Sequence, residues 1–217
     1  MNFCRRTYLF LYNAVQFAGW FSVLTDRITN LDNPTLSANG QFFLYIFQTL
    51  AVLEILHCLI GVVRASPVTT IIQVVSRLQL ILVHSYVPDA KVSTGLLPMV
   101  TAWGLVEVVR YMYLALNLFQ MSPKWLLWAR YSFFYVLYPL GVYGEMRVLY
   151  DSLPYMMRSG VLSVSLPNDW NFSFSFAWYA WVLIYVIYLP GLYVQYTHMM
   201  KQRVKALGGP VELKKNV

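Results

Sequence analysis

Long apolar runs recur along this chain, each about the length that crosses a ~30 Å hydrocarbon core, and little but a bilayer accommodates a chain built that way. Six can be marked, at roughly 7–25, 41–63, 67–88, 95–119, 125–146 and 174–198. Composition agrees: 59% of the 217 residues are hydrophobic and 12% are charged, about half the ~25% of a soluble domain. A net charge of +7 on so charge-poor a chain fits neither a disordered tail nor a soluble nucleic-acid binder. In lipid every backbone group must be satisfied within the segment, so the spans are predicted to be helices. The expected fold is therefore all-α, a polytopic membrane protein with six transmembrane helices. Residues 1–200 would form the membrane domain and 201–217 a basic tail. Arg5-Arg6 before the charge-free stretch Thr7 to Thr25 resembles a signal peptide, but no small-x-small cleavage site follows, so it reads as a retained first span.

The connections carry turn residues: Asn30 to Gly40 with Pro34, Ala65-Ser66-Pro67, Pro88-Asp89 and Ser122-Pro123. Pro67 argues for a break between the second and third spans. A longer polar-aromatic loop is expected from Arg147 to Ser173. With six spans one side holds Arg5, Arg6, Arg64, Lys124, Lys201, Arg203, Lys205, Lys214 and Lys215, and the other holds Arg27, Lys91, Arg147 and Arg158. That asymmetry places both termini in the cytosol. With only Cys4 and Cys58 in the chain, a disulfide scaffold is excluded.

Arg77, Arg110, Arg130, Glu54, Glu107 and Glu145 fall inside spans. A charge at the bilayer centre costs about 2.5 to 3.5 kcal/mol even on a lenient scale, so each needs a partner or a polar cavity. Glu107 and Arg110 are i,i+3, Gln73 and Arg77 are i,i+4, and Glu54 and His57 are i,i+3, each pair on one helix face. A polar interior walled by helices is expected. Spacing leaves open whether these groups only fix packing or also line a reaction site.

The fifth span places Tyr138 and Glu145 seven residues apart, on one face and about 10 Å along a straight helix. Pro139 should kink it beside Tyr138, and Gly141 admits a close neighbour. A phenol and a carboxyl so placed could form an acid/base site. An ordinary packing tyrosine is the simpler account on spacing alone, since the chain has 17.

Several blocks then share one pattern. They are Tyr12-Asn13, Gly19-Trp20, Leu53-Glu54 with His57-Cys58, Gln73 with Ser76-Arg77, Trp103, Glu107 with Arg110-Tyr111, Arg130-Tyr131, Leu137-Tyr138-Pro139, Gly141 and Glu145. In order and register they resemble the very-long-chain 3-hydroxyacyl-CoA dehydratases, formerly called protein-tyrosine-phosphatase-like proteins. The resemblance implies a six-span protein of the endoplasmic reticulum membrane that dehydrates a (3R)-3-hydroxyacyl-CoA to a trans-2-enoyl-CoA, the third step of fatty acid elongation. It implies Tyr138 and Glu145 as the catalytic pair, with Glu54, Gln73, Arg77, Glu107, Arg110, Arg130 and Gly141 in support. No cofactor or metal is expected. The implied partners are the acyl-CoA substrate, membrane lipid, and the elongase, ketoacyl-CoA reductase and enoyl-CoA reductase of the cycle. Alternatives are a non-catalytic lipid-binding or scaffold member of the same fold, or a small transporter. Against the transporter stands the lack of an inverted repeat, with Pro139 as the single kink.

His57-Cys58 followed by five residues and Arg64 matches a tyrosine phosphatase signature in spacing, although the resembled family usually has Pro at the Arg64 position. Those five residues end an apolar span, where backbone N–H groups should already be engaged, so no phosphate cradle is expected. Lys214-Lys215-Asn216-Val217 resembles a dilysine retrieval signal of endoplasmic reticulum membrane proteins.

Overall fold

The structure, a computed structural model, describes residues 2–208. The expected signal at Lys214 and Lys215 lies outside the described residues. The described chain is helical, with an isolated β-bridge between Val164 and Phe174. The elements are α1 (Phe3–Thr29), α2 (Ala38–Leu50), α3 (Val52–Leu59), α4 (Pro67–Tyr86), α5 (Pro88–Lys91), α6 (Leu96–Asn117), α7 (Lys124–Ser132), α8 (Phe134–Ser159), α9 (Phe176–Val182) and α10 (Tyr188–Leu207). A π-helical turn, Leu183–Ile187, joins the last two.

Among the described residues, four stretches are long and apolar enough to cross a membrane: Ala38–Leu59, Pro67–Tyr86, Leu96–Asn117 and Phe176–Leu207. The helical stretches Phe3–Thr29 and Lys124–Ser159 are longer than 20 residues but more polar, the first through Asn13 and Gln16, the second through Arg130, Glu145 and Arg147.

The expected break at Pro67 is present. Ser66 caps α4 by accepting the Thr69 N–H, and Pro67 occupies the first turn, where a missing N–H costs nothing. Ser37 caps α2 in the same way, through the Gly40 N–H, while its own hydroxyl is held by Asp26. Arg27, expected in a loop on one side of the membrane, is instead buried and closes the turn after α1. It donates to the carbonyls of Asn30, Leu31, Asn33 and Thr35.

Two expectations need correcting. The loop placed at Arg147–Ser173 begins only after Ser159, because α8 continues through Arg147, Asp151 and Pro154 and ends at Gly160 in the left-handed region. Arg147 and Asp151 pair at 3.0 Å across one turn, which supports this extension. The helix runs on through Pro139 as part of α8, and the interruption in this span is a single residue, Phe133, between α7 and α8. The sixth span is irregular as well, at Leu183–Ile187, so Pro139 does not mark the only irregularity.

Packing centres on α6, which lies against α1 on one side and α8 on the other. Glycine sets the second contact. A Cβ at Gly144 would stand 2.5 Å from the Met99 nitrogen, and one at Gly95 would stand 2.5 Å from the Gly144 carbonyl oxygen. The two backbones meet there with no room for a side chain.

The interior is largely apolar, with Trp20, Leu44, Leu80 and Leu149 buried, but polar groups are set among these side chains and the helix surfaces are apolar as well. Asn13, Gln16, Gln48, His57, His84 and Glu107 are buried, whereas Val15, Leu56, Ile72, Val136 and Leu189 are exposed on helix surfaces. Apolar helix surfaces with the polar groups turned inward suit a lipid surround.

Candidate active site

The inward face of α6 carries Trp103, Glu107 and Tyr111 at i, i+4 and i+8, with Arg110 beside them. From α4, Gln73 and Arg77 are one turn apart, and α3 contributes Glu54 in its first turn. These helices bring four of the expected charges into one chain. Arg77 pairs through Nη1 with Glu107 Oε1. Arg110 bridges two carboxylates, with Nε 2.6 Å from Glu107 Oε2 and its two terminal nitrogens 2.9 and 2.8 Å from Glu54 Oε2 and Oε1. The Tyr111 hydroxyl donates to Glu54 Oε1 at 2.5 Å. Two guanidinium groups and two carboxylates cancel in formal charge, which is what a low-dielectric interior demands.

Within this cluster lies a cavity of about 10 Å³, lined by Trp20, Gln48, Glu54, Gln73, Arg77, Glu107 and Arg110 among others. That is room for about one water molecule. Gln73 and Arg77 both lie on its wall, as their i,i+4 spacing on one face expects, without a hydrogen bond between them among the described residues. His57 likewise does not pair with Glu54; its Nε2 meets the Tyr8 hydroxyl at 2.7 Å.

Glu145 sits apart from the four-charge cluster. Its Oε1 accepts the indole N–H of Trp103 at 2.8 Å and its Oε2 accepts the Tyr188 hydroxyl at 2.9 Å. The indole joins it to the cluster, because the Arg77 guanidinium lies 5.0 Å from the centroid of the Trp103 ring. Arg130 also stays outside. It stacks over Tyr113 at 4.7 Å and Tyr131 at 5.6 Å, and its Nη1 is 3.5 Å from the Arg110 carbonyl oxygen.

Tyr138 and Glu145 share the uninterrupted helix α8, so two turns, about 10 Å, separate them. Tyr138 is half-buried and makes no hydrogen bond among the described residues. Gly141, between them, faces Ala102 of α6, whose Cβ would be 3.4 Å from an added Cβ, an ordinary contact.

Four residues contribute to the site beyond those expected from the sequence. Trp103 and Tyr111 were visible only as members of the resemblance. Tyr188 was not singled out, although Pro190 two residues later was a legible sign of an irregular helix. Gly144 was passed over in favour of Gly141, and it is the tighter contact.

The phosphatase-like spacing forms no anion cradle. The N–H groups of Ile60, Gly61 and Val63 donate to the carbonyls of Leu56, Cys58 and His57. Arg5 takes the carbonyls of Gly61 and Val62, and Arg64 is exposed. An apolar groove of about 240 Å³ lies between α1 and α2–α3, lined by Tyr8, Leu11, Tyr12, Val15, Gln16, Leu50 and Leu53. It touches neither Tyr138 nor Glu145.

Comparison with known proteins adds an independent line. Residues 48–209 match the family described as protein tyrosine phosphatase-like protein, PTPLA. The chain is 39% identical over 211 residues to the Caenorhabditis elegans very-long-chain (3R)-3-hydroxyacyl-CoA dehydratase hpo-8, covering 94% of this chain and 96% of that protein. It is 40% identical over 219 residues to Homo sapiens very-long-chain (3R)-3-hydroxyacyl-CoA dehydratase 2, covering 96% and 84%. Against the Oryza sativa dehydratase PASTICCINO 2A it is 40% identical over 209 residues, covering 94% of each. No solved structure gives a significant match.

Proposed function

The chain belongs to the protein tyrosine phosphatase-like family, PTPLA, and on that footing we propose that it is a membrane-embedded very-long-chain (3R)-3-hydroxyacyl-CoA dehydratase with Tyr138 and Glu145 as its acid/base pair. The observation that carries the site assignment is Glu145 itself. It is a carboxyl group at membrane depth whose two oxygens are each fixed by a neutral donor, with a phenol that makes no hydrogen bond among the described residues two turns along the same helix.

The chemistry needs such a pair. A base removes a proton from C2 while negative charge builds on the thioester oxygen. The C2–C3 double bond forms as the C3–O bond breaks, and an acid delivers a proton to the departing hydroxyl, which leaves as water. Tyr138 and Glu145 divide these two roles. Their separation of about 10 Å along α8 lets the reacting carbons lie between the two side chains. The charge-neutral group of Glu54, Arg77, Glu107 and Arg110 holds α3, α4 and α6 in register. Through Arg77 and Trp103 it also fixes the wall against which Glu145 rests.

In this reading the chain crosses the membrane six times with both termini cytosolic, as the lysine and arginine distribution favours. The membrane domain is residues 1–200, and the basic tail begins helical, since α10 runs to Leu207. The coenzyme A phosphates are drawn to the basic cytosolic side, where Arg203 reaches Ser132 at 3.1 Å, and the acyl chain stays in apolar surroundings. The enzyme works in the endoplasmic reticulum beside the elongase and the two reductases of fatty acid elongation. Purified protein should convert a long-chain (3R)-3-hydroxyacyl-CoA to the trans-2-enoyl-CoA and leave the (3S) isomer untouched. Absence of turnover with any chain length would contradict the proposal.

A further inference from the structure

The helical stretch Phe176–Leu207 sends two phenols inward. The Tyr179 hydroxyl donates to Gln79 Oε1 of α4 at 2.7 Å, and the Tyr188 hydroxyl donates to Glu145 Oε2 of α8 at 2.9 Å. At 100° per residue an unbroken α-helix would put residues nine apart on opposite faces, so one of these contacts would be lost. The π-turn Leu183–Ile187 resolves this. Its wider turn, closed by the Tyr188 N–H on the Leu183 carbonyl, swings Tyr188 back by roughly a quarter turn. Pro190 gives a local cause, because it lacks the N–H that would bond the Val186 carbonyl and its ring crowds that oxygen.

We infer that Tyr188 is a positioning residue for the dehydration, aimed by the π-turn so that its hydroxyl locks the carboxyl group of Glu145 in one orientation. The inference rests on the assignment of Glu145 and Tyr138 proposed above. Trp103 already holds Oε1, and an indole N–H can only donate, so Oε1 is committed as an acceptor. Oε2 is the remaining oxygen, and the phenol at 2.9 Å decides which way it faces. A phenol can both donate and accept, so Tyr188 keeps its bond to Oε2 whether Glu145 holds or has released its proton. Trp103 cannot adapt in that way. Losing the phenol contact therefore frees the carboxyl group to rotate about a single hydrogen bond, and the reacting geometry is realised in a smaller share of encounters.

The test uses the full-length protein in detergent or nanodiscs, with Tyr188→Phe, which removes only the hydroxyl, and Tyr185→Phe, an exposed neighbour on the π-turn, as the control. Steady-state conversion of a long-chain (3R)-3-hydroxyacyl-CoA, thermal unfolding, and the same assay on Glu145→Gln and Tyr138→Phe are read together. The expected result for Tyr188→Phe is kcat lower by about tenfold to hundredfold, with KM within about twofold and an unchanged unfolding temperature. Tyr185→Phe should match the wild type. If Glu145→Gln and Tyr138→Phe lose turnover while Tyr188→Phe keeps its kcat, or loses activity only through KM or unfolding, the positioning role is overturned and the acid/base assignment stands. If Glu145→Gln and Tyr138→Phe both keep wild-type turnover, the underlying assignment fails and the role of Tyr188 fails with it.

Discussion

Arg77 lies over the indole of Trp103, its guanidinium carbon 5.0 Å from the ring centroid, while the edge of that indole holds Glu145. One aromatic side chain thus joins the charged cluster of α3, α4 and α6 to the carboxyl group on α8. Trp103→Phe keeps a ring face for Arg77 but removes the N–H donor. Turnover should fall about tenfold, the cost of one strong hydrogen bond, with a modest drop in unfolding temperature because the smaller ring leaves a cavity at a buried position. Steady-state kinetics beside an unfolding scan checks both halves.

Arg110 spans Glu54 and Glu107, so Arg110→Ala leaves two carboxylates without their shared cation. Breaking a buried pair from one side costs about 3 to 5 kcal/mol, and the protein should lose most of its folded yield in detergent. Arg110→Lys should recover only part of it, because an ammonium cannot present the fork that reaches both oxygens of Glu54. Unfolding curves of the two variants against wild type measure the difference.

Gly144 and Gly141 should respond differently to the same substitution. A methyl at Gly144 meets the backbone of Met99 at 2.5 Å and must push α6 from α8, whereas at Gly141 it meets a methyl at 3.4 Å. Gly144→Ala is expected to cost about 1 to 3 kcal/mol by overpacking, and Gly141→Ala to be nearly neutral for stability. Thermal unfolding of the pair reads this directly.

Cys4 is exposed at the start of α1, and the six-span arrangement proposed above would put it on the cytosolic side. In sealed right-side-out microsomes carrying Cys58→Ser, a membrane-impermeant maleimide should label Cys4 without detergent. Protection until the vesicles are opened would reverse the orientation. Cys58 itself should be dispensable, since the N–H groups of Ile60, Gly61 and Val63, which a phosphate cradle would need, are already bonded within the chain.

Much of this arrangement was readable from residues because its causes are local. Pro67 after Ser66 ends one helix and starts another, and Glu107 and Arg110 pair across one turn, both set by neighbours in sequence. What stayed hidden depends on distant partners. Glu54 could not be matched to Arg110 by spacing, because 56 residues separate them. Arg147 to Ser159 looked like a loop because it is polar and holds Pro154, yet the Arg147–Asp151 pair and packing on the bundle keep it helical. Tyr188 was one tyrosine among 17 until the π-turn gave it a direction.

The central claim is that Tyr138 and Glu145 carry the proton transfers, and single-turnover conversion of (3R)-3-hydroxyacyl-CoA by Tyr138→Phe and Glu145→Gln tests it most directly. Both variants should fold like the wild type, and each should form trans-2-enoyl-CoA slower by about 10² to 10⁴-fold, the usual worth of a positioned acid or base. Folded variants that both turn over at the wild-type rate would contradict the account.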